Sequence, residues 1–512
     1  MDTESPMYTH YDIGIIGSGF SGSLLAWILS KRGFSVVIID RAQHPRFAIG
    51  ESSTPLADFL LEHIADHFGL PELRSLSRWG TWQRDLPQLR AGKKRGFSYY
   101  SHARGEHFRE SQSHENSLLV AASSTDELSD THWMRSDVDE WLCKKAVQAG
   151  ATLFDNFAIT SVQRINQFWE IRGEFAETIV GVQCGQLIDA SGSGHAIGQA
   201  LGLEQFDNRL RTQTGAMYGH FRNVGSMSQW LANRDLLTSD DPFCGDDAAQ
   251  HHWIGEGWFW MLRFADGTTS VGLVQPTANW SDELINATDR LGAWRKFLTD
   301  YPTVCELMEN AELVAPHDTQ GMPKLAWLPR INRLWERAAG DSWLMIPTTA
   351  GFVDPLHSTG IAHSLSGVMR AADILTRDQS HTRRCEALEQ YSLDVVAEVR
   401  WIDQLVSACY TAAKHSFEAF VAASSLYFIS AVHCERQMAT SGDMRDGFLL
   451  ARSATWQHIV HETLLKLEDY ESGTSDSDLT RWLRGQIKPW NDFGLLEPLA
   501  HRRISRSVAP AH

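Results

Sequence analysis

The chain has no C-x-x-C pair, and its seven cysteines (143, 184, 244, 305, 385, 409 and 434) are scattered and odd in number. That pattern excludes a disulfide scaffold or a cysteine zinc site and predicts a reduced, cytoplasmic protein with no metal centre. No apolar run reaches the ~18–20 residues of a membrane span. The nearest, "FVAASSLYFISAV" at 420–432, is bounded by Glu418 and His433. The opening "MDTESPMYTHYD" is acidic and polar, unlike a secretory or transit signal, so no membrane association is expected. Positive charge is scarce: 46 Lys and Arg stand against 63 Asp and Glu, a net charge of −17. A nucleic-acid surface needs clustered cations, so no nucleic-acid partner is expected either, while a local basic pocket stays compatible. Internal repeats are absent, and 43% hydrophobic with 21% charged residues is a folding composition, not a disordered one.

What the chain does have is length and tryptophan. Its 512 residues allow two or three packed layers or domains, and most of the 19 Trp read as core filling. Residues 11–41 divide into a buried strand ("DIGIIG"), a glycine turn, a helix ("SLLAWILSKRG") and a second strand ("SVVIID"). A helix ended by glycine follows at 137–150, then strands and another glycine turn at 178–194. Residues 205–335 read as strand-rich with long polar loops, and the chain after about 362 reads as helical. The tail "RRISRSVAPAH" is short and basic and is expected to fray.

The turn reads Gly17-Ser-Gly19-Phe-Ser-Gly22, and Asp40 ends the next strand 18 residues after Gly22. Such glycines permit a tight turn, close approach of a pyrophosphate, and helix–strand packing, while the acid is placed to bond a ribose hydroxyl. Dinucleotide binding follows, without a choice between FAD and NAD. The later "LIDASGSG", with Asp189 and Gly192, returns to the same kind of strand-to-turn corner. "GSGHAIG" at 192–198 imitates a second fingerprint but has no acid ending a strand at the required distance. Near residue 350 comes "TTAGFVDPLHSTGIAHSLSG", where a helix opens on Ser, Thr and Gly with no carboxylate among them. Free amides and a positive dipole end attract an anion there.

A chain that returns three times to one sheet edge resembles FAD-dependent oxidoreductases. Three stretches sharpen the likeness: "AQHPRFAIGESSTP" (42–55), "GWFWMLRF" (257–264) and "GFVDPLHSTGI" (351–361). Together they resemble the flavin-dependent halogenases (the tryptophan halogenase-like family of secondary metabolism), closest to the branch acting on free phenolic compounds. The likeness covers most of the chain, including the C-terminal helices.

The resemblance implies an α/β fold: an FAD-binding three-layer ββα Rossmann-like domain, an interleaved substrate β-sheet domain and a helical C-terminal region. The expected division is 10–205 for the FAD domain with a substrate-side excursion near 80–130, and 206–335 for the substrate sheet. Residues 336–375 return to the FAD domain, and 376–512 form the helical region. FAD contacts fall by resemblance on Gly17, Gly19, Gly22, Asp40, Glu51, Ser52, Arg135, Asp189, Gly192, Gly351, Asp354, Pro355 and Ile361. Arg135 reads equally as a surface residue capping a helix start. Ser358, Thr359 and Gly360 are the halide positions, with chloride or bromide as the anion; flavin carbonyl binding by the same amides is the alternative. Trp258 and Trp260 match the paired tryptophans that keep substrate off the flavin, but Leu262-Arg263 replaces the signature Ile-Pro. The ribityl-binding "GDAAG" of simple hydroxylases is missing, Pro347–Gly351 standing in its place.

The family's catalytic lysine lies in Lys-x-Gly-x-x-aromatic, which "KKRGFSYY" supplies as Lys94, Gly96 and Tyr99. Neighbouring strand side chains face opposite ways, so either Lys94 or Lys93 points inward, and the pattern selects Lys94. A buried ammonium can hydrogen-bond hypohalous acid or form a haloamine. His357 stands where tryptophan-specific members carry a glutamate, as a neutral base or as packing. The implied activity is FADH2- and O2-dependent transfer of an electrophilic halogen to a small, electron-rich, phenolic aromatic, fed by a separate NAD(P)H-dependent flavin reductase. The alternative is an FAD monooxygenase or oxidoreductase on the same scaffold.

Overall fold

The computed structural model describes residues 8–236, 239–470, 476–498 and 502–505. One sheet has a parallel centre. Tyr8–Ile16 lies between Val36–Ile39 and Thr178–Asp189, with Thr152–Phe154 and Trp343–Met345 outside them. Val36, Val37, Ile38 and Ile39 are all buried, the continuous apolar pattern of a strand covered on both faces. Phe20–Lys31 crosses back over this sheet and packs on helices Arg135–Gln148 and Thr359–Thr376. An antiparallel ribbon, Ala158–Ile165 with Phe168–Phe175, continues into the strand Thr178–Asp189.

The second sheet runs Glu312–Ala315, Thr214–Arg222, Thr269–Pro276, Gly257–Arg263, Ala249–Ile254, Gly96–Ser101, Ser117–Ala121 and Arg503–Ile504. Ala326–Leu328 pairs beside it on Thr214–Arg222. Alternation along Gly257–Arg263 sends Trp258, Trp260 and Leu262 into the large core shared with the first sheet and helices. Phe259 and Met261 go into a separate core on the other side.

Two expectations change. The tail does not fray through residue 504: Arg503–Ile504 pairs in parallel with Leu119–Val120, and the Arg503 guanidinium donates to Asp241 and Glu110. The apolar run at 420–432 belongs to a longer helix, Phe417–Ser441, which by length and composition could cross a membrane. Here most of that helix is buried against helices Pro55–Phe68, His381–Ala413 and Asp476–Ile487.

Candidate active site

The first glycine turn forms one wall of a cleft. Gly17 sits at φ 105°, donates to Ile39 O at 2.8 Å, and a Cβ there would meet Ala190 O at 2.5 Å. A Cβ on Gly22 would overlap the carbonyl oxygen of Gly17. Gly19 caps the helix Phe20–Lys31 without a side-chain acceptor, leaving first-turn amides open to an anion. The Asp40 carboxylate accepts from Ser18 N and Oγ, both at 2.7 Å, and from Ala42 N at 3.0 Å. Burial alone would raise its pKa, but Arg46 and these donors hold it below the usual carboxylate range.

Across from them stand Phe157–Val162 and Ala190, Ser191 and Gly194, enclosing about 820 Å³. Arg46 Nε is buried without a partner among the described residues. Glycine cradle, anionic acid and spare guanidinium donor fit the adenosine-diphosphate half of FAD. Asp189 serves differently: its oxygens accept from Ser191 N and Oγ and from Ile197 N, so it shapes the turn behind the cleft. Gly192, at φ 65°, donates its amide to Thr349 Oγ1 at 3.0 Å.

The segment after Asp40 links this cleft to the second sheet. Arg135 opens its helix as one sequence reading had it, yet it is buried. It donates to Ile49 O and Gly50 O at 2.7 and 3.0 Å, holds Asp139, and lies over the Phe20 ring. Glu51 meets His220 Nε2 at 2.7 Å, while Glu51 Oε2 and Ser52 Oγ are buried with no partner among the described residues.

The late loop is shaped by backbone strain. His357 and Ser358 stand in succession at φ 66° and 58°, unusual for residues with a Cβ. That reversal lets Thr359 and Gly360 begin an 18-residue helix whose first turn carries no acid. Gly360 is open on its Cβ side except for the Phe352 ring, and Ile361 is buried. The loop is held from behind. Asp354 accepts from Thr214 Oγ1 at 2.6 Å, Tyr410 OH at 3.1 Å and Leu356 N at 2.9 Å, and burial pushes its pKa to about 6. Pro355 caps the short turn that follows, and Gly351 packs on Val399 of the helix His381–Ala413. His357 is buried with Nδ1 3.0 Å from Tyr99 OH, Nε2 3.5 Å from Cys409 Sγ, and Tyr427 stacked at 4.4 Å. Burial pushes its pKa well below the ordinary value, so the ring is neutral.

The two lysines separate as strand alternation demands. Lys93 is at the surface, 2.6 Å from Asp126 and 3.0 Å from Asp247. Lys94 is fully buried: its ammonium donates to Ser53 O, lies 3.5 Å from Asp130 Oδ2, and sits 4.1 Å above the Phe97 ring. Phe97 in turn lies 6.5 Å from the His357 ring, so one aromatic residue separates the ammonium from the strained 357–360 loop.

Trp258 donates to Tyr410 OH at 2.8 Å, and Trp260 donates to Ser270 Oγ at 3.1 Å, the two rings 6.2 Å apart. Arg263 projects to the opposite face of their strand, donating to the carbonyls of Val224 and Gly225.

Residues 15–73 match the family described as NAD(P)-binding Rossmann-like domain. Over 430 residues the chain is 27% identical to tetracycline 7-halogenase from Kitasatospora aureofaciens, covering 79% of this chain and 70% of the relative. It is 26% identical to monodechloroaminopyrrolnitrin halogenase PrnC from Pseudomonas fluorescens, covering 79% and 68%. Halogenase PltM in complex with phloroglucinol and FAD superposes with a TM-score of 0.81 at 24% identity, over 97% of this chain and 99% of that one. Over most of its length the chain is similar to flavin-dependent halogenases.

The helix Thr359–Thr376, which follows the strained loop, is anchored by a buried ion cluster. Glu398 accepts from Arg370 at 2.8 and 3.0 Å and from His363 at 3.0 Å. Burial alone would raise the Glu398 pKa, but Arg370 and His363 bring it down to about 2. Because the unfolded value is about 4.3, the unfolded state takes up this proton first as pH falls. The stabilisation is full above that value and is lost as pH falls toward about 2. Thermal melts from pH 6 to 3 should show a falling midpoint, and Glu398→Gln should flatten that slope.

Several residues around Lys94 and the late loop carried no sequence signal. Asp58, Asp130 and Glu435 converge near Lys94 from three distant segments. His251, stacked on Tyr99 at 4.6 Å, and Tyr410 join the site through tertiary packing alone.

Proposed function

We propose that this halogenase uses reduced FAD, dioxygen and chloride or bromide to halogenate a small, electron-rich phenol. The observation that carries the reading is Lys94, an ammonium with no exposure, one aromatic ring from an anion-attracting helix start. FAD, when bound and reduced, supplies hypohalous acid from oxygen and halide. Every other task falls to the chain. The glycine turn and Asp40 hold the adenosine half, and Glu51, Ser52 and the 351–361 loop line the flavin half. The amides of Thr359 and Gly360 hold halide, where a monoanion needs no added cation. Lys94 hydrogen-bonds the hypohalous acid or takes its halogen, and Trp258 and Trp260 wall the substrate side.

The environment of His357 supports a phenol. Both its nitrogens already face partners, so His357 does not stand ready, as a carboxylate there would, for the ring proton of an unactivated arene. A phenol stabilises the cationic intermediate through its own oxygen. The family relative bound to phloroglucinol points the same way. Free cysteines throughout suit a reducing cytoplasm, where a separate NAD(P)H-dependent reductase would deliver the reduced flavin. Arg263, directed away from the tryptophans, lends the monooxygenase alternative no support.

The test combines protein, FAD, NADH, a flavin reductase and bromide or chloride with phenols and tryptophan in parallel. Halide-dependent halophenol, with little or no halotryptophan, is expected. Hydroxylated phenol formed without halide, or efficient tryptophan halogenation, would overturn the reading.

A further inference from the structure

Behind Lys94 lies a group of buried acids. Asp130 Oδ2 is 3.5 Å from Nζ, on the strand that pairs with the lysine's own: Lys94 and Asp130 are register partners. Asp58, from helix Pro55–Phe68, is hydrogen-bonded to Asp130, and its Oδ1 is buried with no partner among the described residues. Glu435, from helix Phe417–Ser441, is buried with Oε2 likewise unpartnered. Arg78 and Glu62 act on this group from one side, Arg436 from another, and His132 and His251 lie near the ammonium.

From this geometry, and resting on the halogenase reading above, we infer that Asp130, braced by a protonated Asp58, is the base that frees the Lys94 lone pair. The protonation states agree with the burial. Burial pushes Asp58 and Glu435 well above the carboxylate range, with the Asp130 charge adding to it, so both are neutral. Burial raises Asp130 less, to about 6, because Lys94 and the Asp58 hydrogen bond draw it back. At neutral pH the buried group therefore holds one cation and one anion, the arrangement with the least uncompensated charge.

The step balances. A proton passes from Nζ to Asp130 Oδ2. The freed pair on Nζ attacks the halogen of hypohalous acid, and the halogen–oxygen bond breaks with its electrons on oxygen. The hydroxide formed takes the proton from Asp130 and leaves as water. Lys94 then carries the halogen as a protonated haloamine, and Asp130 is anionic again. The arene attacks the halogen, the nitrogen–halogen pair returns to Nζ, and the ring proton restores the ammonium. Asp130 acts through Lys94 and is a positioning residue; an uncharged lysine is what nucleophilic attack requires.

The FAD-loaded protein is compared with Asp130→Asn, Asp130→Glu and Asp58→Asn. Infrared spectra at pH 7.5 should show protonated-carboxyl stretches in the wild type, of which the Asp58 component is lost in Asp58→Asn while that of Glu435 remains. In phenol halogenation, wild-type kcat should fall on the acid side near pH 6, where Asp130 takes up a proton. Asp130→Asn should lose that limb and lower kcat by about a hundredfold, the low end for a positioned base, with KM little changed. Asp130→Glu should restore part of both. A purely structural Asp130 would lower the melting midpoint and leave the pH limb in place, which overturns the inference. So does an unchanged carboxyl band in Asp58→Asn. If the wild type makes no halogenated product, the functional reading fails, and the infrared band still decides the state of the carboxyl pair.

Discussion

Lys94→Met is expected to lose halogenated product by at least about a thousandfold, a scale seen when a reacting group is removed, while still binding FAD. Methionine keeps an unbranched stem and removes the ammonium that lies over Phe97. Truncating one member of a buried ion pair ordinarily costs about 3–5 kcal/mol. Here Asp130 has an escape. With a pKa already at about 6, it takes up a proton once the lysine's attraction is gone, so the fold survives. Reduced flavin should still consume oxygen, releasing peroxide instead of haloarene. Mass spectrometry of the product, set against flavin binding and oxygen uptake, separates lost chemistry from lost structure. Lys93→Met is the matched control: it removes a surface pair with Asp126 and Asp247, worth about 1 kcal/mol or less, and should leave turnover intact. Activity retained in Lys94→Met and lost in Lys93→Met would reverse the assignment.

Gly22→Ala should be nearly as damaging, by a different route. The added methyl overlaps the carbonyl oxygen of Gly17 and comes within 3.0 Å of Ala190 Cβ, both held by the central strands. Neither neighbour is the free end of a flexible side chain, so the helix Phe20–Lys31 must move off the sheet. Overpacking of this kind costs about 1–3 kcal/mol, and the displacement also spoils the amide cradle for the pyrophosphate. Purified Gly22→Ala should carry no FAD absorbance and melt earlier than wild type. Gly33→Ala gives the contrast. Gly33 has a positive φ, 89°, and open space around its Cβ, so the change should cost about 1 kcal/mol from the backbone alone and keep the flavin.

The parts that sequence reading reached are those built from neighbours along the chain. Strand, turn, helix and strand at 11–41 are consecutive, so periodicity and glycine spacing suffice to place Gly17, Gly19, Gly22 and Asp40. The choice of Lys94 over Lys93 followed from family pattern and alternation, and the burial of one with exposure of the other agrees with it. Convergence is what spacing cannot express. Asp58, Asp130 and Glu435 meet only because a helix, a strand and a distant helix pack together. Asp189 shows a related limit: a carboxylate after a strand can face a ligand or fold back on its own turn, both look alike in one dimension, and here its oxygens accept from Ser191 and Ile197. Arg263 stands where the tryptophan signature has proline, yet an odd number of residues from Trp258 and Trp260 puts it on the other face of the strand.

The pairing of Arg503–Ile504 with Leu119–Val120 also bears on biosynthesis. During translation the second sheet waits, one ladder short, until residues 502–504 have left the ribosome, because the Leu119 amide bonds Arg502 O. A nascent or truncated product lacking them would present that open border to other chains, a known route to edge-to-edge association. Yield of folded protein in a cell is therefore tied to a stretch made long after the strand it covers.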